Sequence, residues 1–275
     1  MFSISRKLRR EEKSVGFVPT MGALHAGHLA MVKEARATCD IVIVSIFVNP
    51  AQFNEKTDLE KYPRDLTADA ATLAEYDVDY VFAPDTAEIY PEGFSTYVNV
   101  EGLAETLEGA SRPGHFRGVA TVITILFNTI RPDSAFFGQK DAQQVAVIKR
   151  LTRDLGFETE IVVVPTVREE SGLAMSSRNE RLSQEQREKA AIVIEALREA
   201  KLAFKKGERN AAKLTEIVKN RIETEPLATI DYIAVIDRDS LQTVEKIGDE
   251  ETLIAAAVAF GGIRLIDNVI LNRKQ

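Results

Sequence analysis

The chain holds three histidines, and two of them, His25 and His28, close the run P-T-M-G-A-L-H-A-G-H that extends from Pro19 to His28. Three residues apart on the first turn of a helix, two side chains face the same side, and Gly27 between them lets a ligand approach the backbone closely. Imidazoles held there can donate hydrogen bonds to a phosphate as negative charge builds on it. The run follows the apolar stretch Val15, Gly16, Phe17, Val18 and precedes a segment with helical spacing through Leu29, Val32 and Ala35. A strand, a glycine-bearing turn and a helix N-terminus together present backbone N–H groups to an anion. An isolated His-x-x-His is more often a surface or core pair. The strand before it, Gly22, Gly27 and the proline entry favour a phosphate site here.

Other residues suit the same chemistry. Lys140, in S-A-F-F-G-Q-K-D-A-Q-Q from Ser134 to Gln144, stands at a predicted helix start, where a cation opposes the helix dipole unless an anion is bound beside it. Ser176, Ser177 and Arg178 place two hydroxyls and a guanidinium on consecutive residues, a donor set for a triphosphate. The loop G-A-S-R-P-G-H-F-R-G from Gly109 to Gly118 carries Arg112, His115 and Arg117. It reads equally as an anion-facing lid and as a solvated basic loop. Asn49 and Gln52 follow an apolar strand, where a substrate sits in an open parallel sheet. From position alone, Gln52 is as well read as a turn residue bonding its own loop.

These groups need a scaffold, and the pattern supplies one. Ile41 to Val48 is apolar without alternation, as in a strand buried on both faces. Tyr80 to Ala83, the start of the Ser134 segment, and Glu160 to Val164 are further strands, with helices expected over Asp65 to Tyr76 and Val119 to Ile130 and a polar connector over Asp58 to Arg64. Alternating strands and helices predict an α/β fold with a doubly wound parallel sheet. From Ser183 the texture changes. A capping box of Ser183 and Gln186 opens one long helix through Ala190, Ile194, Leu197 and Phe204 to Gly207. A second helix passes through Leu214, Ile217 and Val218, and strands follow at Tyr232 to Ile236, Leu253 to Val258 and Ile263 to Ile266. Helices followed by strands predict a smaller C-terminal α+β domain, so the chain divides into residues 1–177 and 178–275.

With 275 residues, 45% of them hydrophobic and 28% charged, the chain can bury a substantial core. No apolar run approaches the roughly 20 residues that span a bilayer, and the first residues lack the apolar stretch of a signal peptide. A cytoplasmic protein without a membrane partner is therefore expected. A net charge of −7 argues against nucleic-acid binding, since backbone binders carry a basic face. Cys39, the single cysteine, reads as a packed thiol.

The segment H-A-G-H is the H-x-G-H variant of the nucleotidyltransferase fingerprint. Together with P-T-M-G-A-L, V-N-P-A-Q-F, R-P-G-H-F-R-G-V, F-G-Q-K-D-A-Q-Q, G-L-A-M-S-S-R-N and R-L-I-D-N, it makes the chain resemble the pantothenate synthetases over nearly its whole length. The resemblance implies a Rossmann-like fold and a homodimer. It also implies that pantoate and β-alanine are joined with ATP as a substrate, through a pantoyl adenylate, releasing AMP and pyrophosphate. Under it, Met21, Gly22, Ala23, Leu24, His25 and His28 bind ATP, with His28 the proton donor and His25 a phosphate ligand. Gly138, Gln139, Lys140, Asp141, Val167, Met175, Ser176, Ser177 and Arg178 complete the nucleotide site, with Lys140 catalytic as well. Gln52 and Gln144 hold pantoate, with Asn49, Arg112 and His115 beside the acid and the amine. The triphosphate implies Mg2+, and Asp69 is the one ligand suggested for it.

Three departures stand out. Ile125 occupies a place where the family carries lysine, Ser171 replaces an aspartate, and the segment before Pro19 is shorter. A different nucleotidyltransferase acting on a phosphorylated acceptor is one competing reading, and a non-catalytic nucleotide sensor is another. The neutral amides Gln52 and Gln144 suit a hydroxy acid better than a phosphorylated acceptor.

Overall fold

In the computed structural model of the chain, residues 1–54 and 56–272 are described. Its contacts form two compact units, Met1–Gln139 with Gln143–Pro165, and Lys140–Ala142 with Thr166–Gln275.

The first unit is built on a parallel sheet of β1 (Val15–Thr20), β2 (Ile41–Ile46), β3 (Tyr80–Phe82), β4 (Ser134–Gly138) and β5 (Glu160–Val164) in the order β3-β2-β1-β4-β5. Its helices are α1 (Phe2–Arg10), α2 (Ala26–Thr38), α3 (Lys56–Glu60), α4 (Leu66–Ala74), α5 (Thr86–Ile89), α6 (Glu108–Ser111), α7 (His115–Ile130) and α8 (Ala142–Asp154). Val42, Ile43 and Val44 of β2 are wholly buried, as a two-sided apolar strand requires. Val42 and Val44 pack in one core with Val18, Met31, Val32, Ala35, Leu73 and Phe136. The register pairs Val15 with Ile41 on one side of β1 and Gly16 with Ser134 on the other. Strand order therefore reverses between β1 and β4, and the crevice beyond their carboxyl ends is where such sheets bind ligands. The segment after β1 is Met21 to His28, and the one after β4 begins at Gln139.

The second unit carries α9 (Gln184–Lys189), α10 (Ile192–Lys205) and α11 (Ala211–Ile222), followed by the antiparallel sheet β6 (Ala228–Asp237), β7 (Thr252–Phe260), β8 (Ile263–Leu271) in that order. One face of α10 and α11, with Leu197, Ala200, Leu214 and Val218, joins Ile254, Val258 and Phe260 of the central strand in a separate core. The doubly wound parallel sheet and the smaller C-terminal α+β part match expectation, and α1 and β1 both form despite the shorter leading segment.

Four details differ. The single long helix expected from Ser183 is two, because the chain turns at Ala190 and Ala191, both buried. Strand β2 ends at Ile46, two residues before Val48, and the connector expected from Asp58 begins inside α3. Lys140 lies in a 3-10 turn, Gln139–Asp141, that leads into α8.

Candidate functional site

The turn after β1 is held from behind. Gly22 has φ +79°, and a Cβ there would lie 2.7 Å from Asp69 Oδ2, so only glycine fits against this buried carboxylate. Asp69 accepts hydrogen bonds from the backbone N–H of Ala23 (3.0 Å) and Leu24 (2.9 Å). Thr20 Oγ1 donates to Ser45 O and accepts from Gly22 N. The chain then reaches His25, the N-cap of α2, whose Nδ1 accepts from Gly27 N (3.1 Å) while His28 Nδ1 accepts from His25 N (3.3 Å). This is a capping box with imidazoles in both places. Because each Nδ1 accepts a backbone hydrogen, each neutral ring carries its own proton on Nε2. The two ring centroids lie 4.1 Å apart, so the fold sets a pair of Nε2–H donors at a helix N-terminus.

The stretch after β2 folds into a 3-10 turn, Pro50–Gln52, around Asn49. Asn49 is 1% exposed. Its Oδ1 accepts from Ala51 N (3.2 Å) and Tyr90 OH (2.8 Å), and its Nδ2 donates to Gly118 O (3.1 Å) and Gln52 Oε1 (3.1 Å). Both ends of the Asn49 amide are thus occupied, one of them by Gln52. Gln52 Nε2 lies 3.0 Å from Met21 Sδ, which brings an expected acid-binding residue beside an expected nucleotide-binding one. A Cβ on Gly118 would lie 2.4 Å from Ala51 O, so glycine is what lets α7 come this close to the turn.

The glycine-rich loop turns inward. Arg112 Nη2 (3.2 Å) and His115 Nδ1 (2.9 Å) both meet Gln52 O, and Arg112 Nη1 lies 3.3 Å from His115 Nε2. With Nδ1 donating and Nε2 accepting, neutral His115 takes the opposite tautomer to His25 and His28. Arg117 stacks on Tyr97, its guanidinium carbon 4.0 Å from the ring centroid. Burial pushes the Tyr90 hydroxyl up to about 12, against the lowering effect of its bond to Asn49, so it stays a protonated donor.

On α8, Gln144 is half-buried, whereas its neighbour Gln143 is buried. Gln143 Nε2 donates to Leu103 O and Thr106 O, and its Oε1 accepts from Glu108 N. It thereby clamps the chain just before the basic loop. Gly138 ends β4 and Gln139 opens the following turn.

The remaining expected residues belong to the second unit. Lys140 Nζ lies 3.6 Å from Asp141 Oδ1, and its carbonyl accepts from Asn268 Nδ2 (2.9 Å). Met175 N donates to Val167 O (2.9 Å), closing a loop in which Ser171 Oγ accepts from Leu173 N, a turn contact that an aspartate also makes. Arg168 reaches Asp267 by two hydrogen bonds, 2.6 and 3.0 Å. Ser176 Oγ accepts from Arg178 N and opens the 3-10 turn Ser177–Arg181. Asn179, 2% exposed, donates to Glu169 Oε1, which Arg187 also grips. Burial raises the Glu169 pKa, but hydrogen bonds from Arg187 and Asn179 outweigh it and hold the carboxyl below its ordinary value.

Sequence reasoning gave no role to Tyr90, Gln143, Arg168, Asp267 or Asn268. R-L-I-D-N stood out only as a motif, and Tyr90 carried no signal at all. Asp69 supports a turn, and among the described residues no group of three or more His, Cys, Asp or Glu is placed to hold a metal. Ile125 is half-buried on the apolar helix α7. Among the described residues, no helix is long and apolar enough to cross a membrane.

The profile of the pantoate-beta-alanine ligase family matches residues 1–270. The pantothenate synthetase of Heliobacterium modesticaldum is 52% identical over 271 residues, covering 98% of this chain and 96% of its own. That of Carboxydothermus hydrogenoformans is 54% identical, with 96% and 93% covered. The crystal structure of the Thermus thermophilus pantothenate synthetase superposes with a TM-score of 0.90 at 45% identity, covering 98% of both chains. The pantoate-beta-alanine ligase of Francisella tularensis, crystallised with beta-gamma ATP and beta-alanine, matches at 38% identity and a TM-score of 0.79, covering 98% of this chain and 95% of that one.

Proposed function

Since the chain belongs to the pantoate-beta-alanine ligase family, we propose that it forms pantothenate in two steps at one site, with ATP as the activating substrate. In the first, a pantoate carboxylate oxygen attacks the α-phosphorus of ATP, and the bond to the bridging oxygen breaks to release pyrophosphate. In the second, the amine of β-alanine attacks the acyl carbon of the adenylate, AMP leaves with the bonding pair, and the amine loses a proton.

Attack of one anion on another needs neutralisation of charge more than any other help. The observation that carries the reading is the pair of imidazoles at the start of α2, whose tautomers the backbone fixes as Nε2–H donors. His28 is read as the proton donor and His25 as a phosphate ligand, with Met21 to Leu24 lining the nucleotide. Gln52 and Gln144 offer neutral amides to pantoate, and Arg112 and His115, both at Gln52 O, are assigned beside the acid and the amine. Lys140, Asp141, Val167 and Met175 to Arg178 are assigned to the nucleotide as well. The Francisella protein, crystallised with an ATP ligand and beta-alanine, supports both substrates. Magnesium enters with the triphosphate, since Mg2+ is commonly held by substrate phosphates and few protein carboxylates. Asp69, engaged with two backbone N–H groups, fits such a role poorly.

The reading extends to a closing role for residues 178–275, to a cytoplasmic location and to a homodimer. Light scattering against the subunit mass of 30.5 kDa tests the last of these. For the chemistry, labelled pyrophosphate is expected to exchange into ATP when pantoate is present and β-alanine absent. A pyrophosphate burst of about one per active site should accompany it, because the adenylate stays enclosed until the amine arrives. Ligase activity without exchange or burst would replace the two steps with a concerted reaction.

A further inference from the structure

Gln52 can meet a hydroxy acid in two ways, through its carbonyl oxygen or through its NH2, and rotation of the amide exchanges them. Its neighbours choose between them. Gln52 Oε1 is occupied by Asn49 Nδ2, so the NH2 is the end left to face a ligand, and it rests on Met21 Sδ. A thioether is a weak acceptor, so a carboxylate or hydroxyl oxygen can take over the same hydrogen. The choice passes back to Asn49, whose Oδ1 meets two donors and whose Nδ2 meets two acceptors. Three of those four partners lie in the turn itself or in α7. The fourth is Tyr90, 41 residues along the chain and half-buried. Tyr90 is gripped in turn by Phe47 (ring centroids 6.3 Å apart) and Phe94 (5.0 Å), and Phe94 packs on Tyr97, which Arg117 covers.

We propose that Tyr90 is a positioning residue for the acid substrate: Ala51 N and Gly118 O set which way the Asn49 amide faces, and by donating to Asn49 Oδ1 Tyr90 holds that amide in place, and with it the amide pair that makes Gln52 a hydrogen-bond donor toward pantoate. The hydroxyl touches no substrate. Its effect is carried by the orientation of two amides, and it favours an acceptor-rich ligand at Gln52. This rests on the reading of Gln52 as a pantoate contact.

The test is steady-state kinetics of Y90F, Q52A and the double variant, varying pantoate and ATP separately, with thermal unfolding alongside. Y90F keeps the ring between Phe47 and Phe94 and removes only the donor. It is expected to raise the pantoate KM about 5- to 10-fold, the effect of one buried hydrogen bond, with the ATP KM unchanged. In the Q52A background the same change should add nothing, because no amide is left to orient. An unchanged pantoate KM in Y90F, an equal rise for ATP, or a full Y90F effect on top of Q52A would overturn the proposal. If Q52A itself leaves the pantoate KM unchanged, the reading of Gln52 fails and takes this inference with it. If Q52A raises it and Y90F does not, Tyr90 alone is excluded.

Discussion

The two units hold their functional segments by different means. In the first, most of the fastening is neutral: backbone N–H to imidazole at His25 and His28, amide to amide at Asn49 and Gln52, phenol to amide at Tyr90. In the second, the loop from Val167 to Arg178 is fastened by ion pairs, Arg168 to Asp267 and Arg187 to Glu169. The difference follows from the scaffolds. Strands of a buried parallel sheet deliver their carboxyl ends to short turns, where backbone groups are close enough to do the holding. A loop set against an antiparallel sheet has to be reached by long side chains, and arginine with carboxylate spans that gap with two directed bonds. Neutral fastenings fix orientation and ignore salt, whereas ionic ones fix position and leave a stranded charge when broken.

The stranded charge gives the largest expected effect. Asp267 is 5% exposed and the Arg168 side chain 19%, so D267A leaves a poorly hydrated guanidinium. It should cost about 3–5 kcal/mol in denaturant unfolding, while replacing both partners with apolar residues of similar volume should cost far less. A loss below about 1 kcal/mol in D267A would mean that solvent reaches the pair and that it resembles a surface bridge.

Next comes the pair of histidines, where chemistry and capping can be separated. H28A removes both the Nε2–H donor and the acceptor for His25 N, whereas H28Q keeps a side chain able to complete a capping box. Turnover should fall roughly 100-fold or more in both, with ATP binding retained, because a donor that strengthens in the transition state acts on rate. Only H28A should also lose about 1 kcal/mol of stability. Wild-type turnover in H28Q would confine His28 to capping and remove it from the chemistry.

How far the sequence announced this arrangement differs between the units in the same way. The parallel sheet was legible because Ile41 to Val48 and Glu160 to Val164 are largely apolar runs that end at proline or just before it, and the histidine turn because strand, glycine and helix follow one another locally. The break between α9 and α10 was not legible. Ala190 and Ala191 are strong helix formers whose φ values, −64° and −60°, stay helical, and both are buried, so no local sequence signal marks the turn. Tyr90 and Asn268 were invisible for a related reason: each acts through a partner 41 or 128 residues away, and no local period records such a pairing. The basic loop gave the right residues with two open readings, and its inward turn onto Gln52 O depends on the close approach that Gly118 permits.

The smallest effect is the one that tests the contrast most directly, through acid and salt. Glu169 has a folded pKa below its unfolded value, because hydrogen bonds from Arg187 and Asn179 outweigh burial. Its contribution is therefore fully present above the unfolded value, ordinarily about 4.3, and is lost as pH falls through the lower folded value. The Arg187 side chain is 46% exposed, so screening should keep the contribution under about 1 kcal/mol. The stability gap between wild type and E169Q should accordingly be small at neutral pH, close below about pH 4, and shrink in about 1 M salt. The Tyr90 hydroxyl, which titrates only near about 12, fastens Asn49 without a net charge. The gap between wild type and Y90F should thus stay constant across the same acid range and at both salt concentrations. If salt closed both gaps equally, the distinction between a neutrally fastened unit and an ionically fastened one would fail, since screening acts on charges and leaves a buried hydrogen bond between a phenol and an amide nearly untouched.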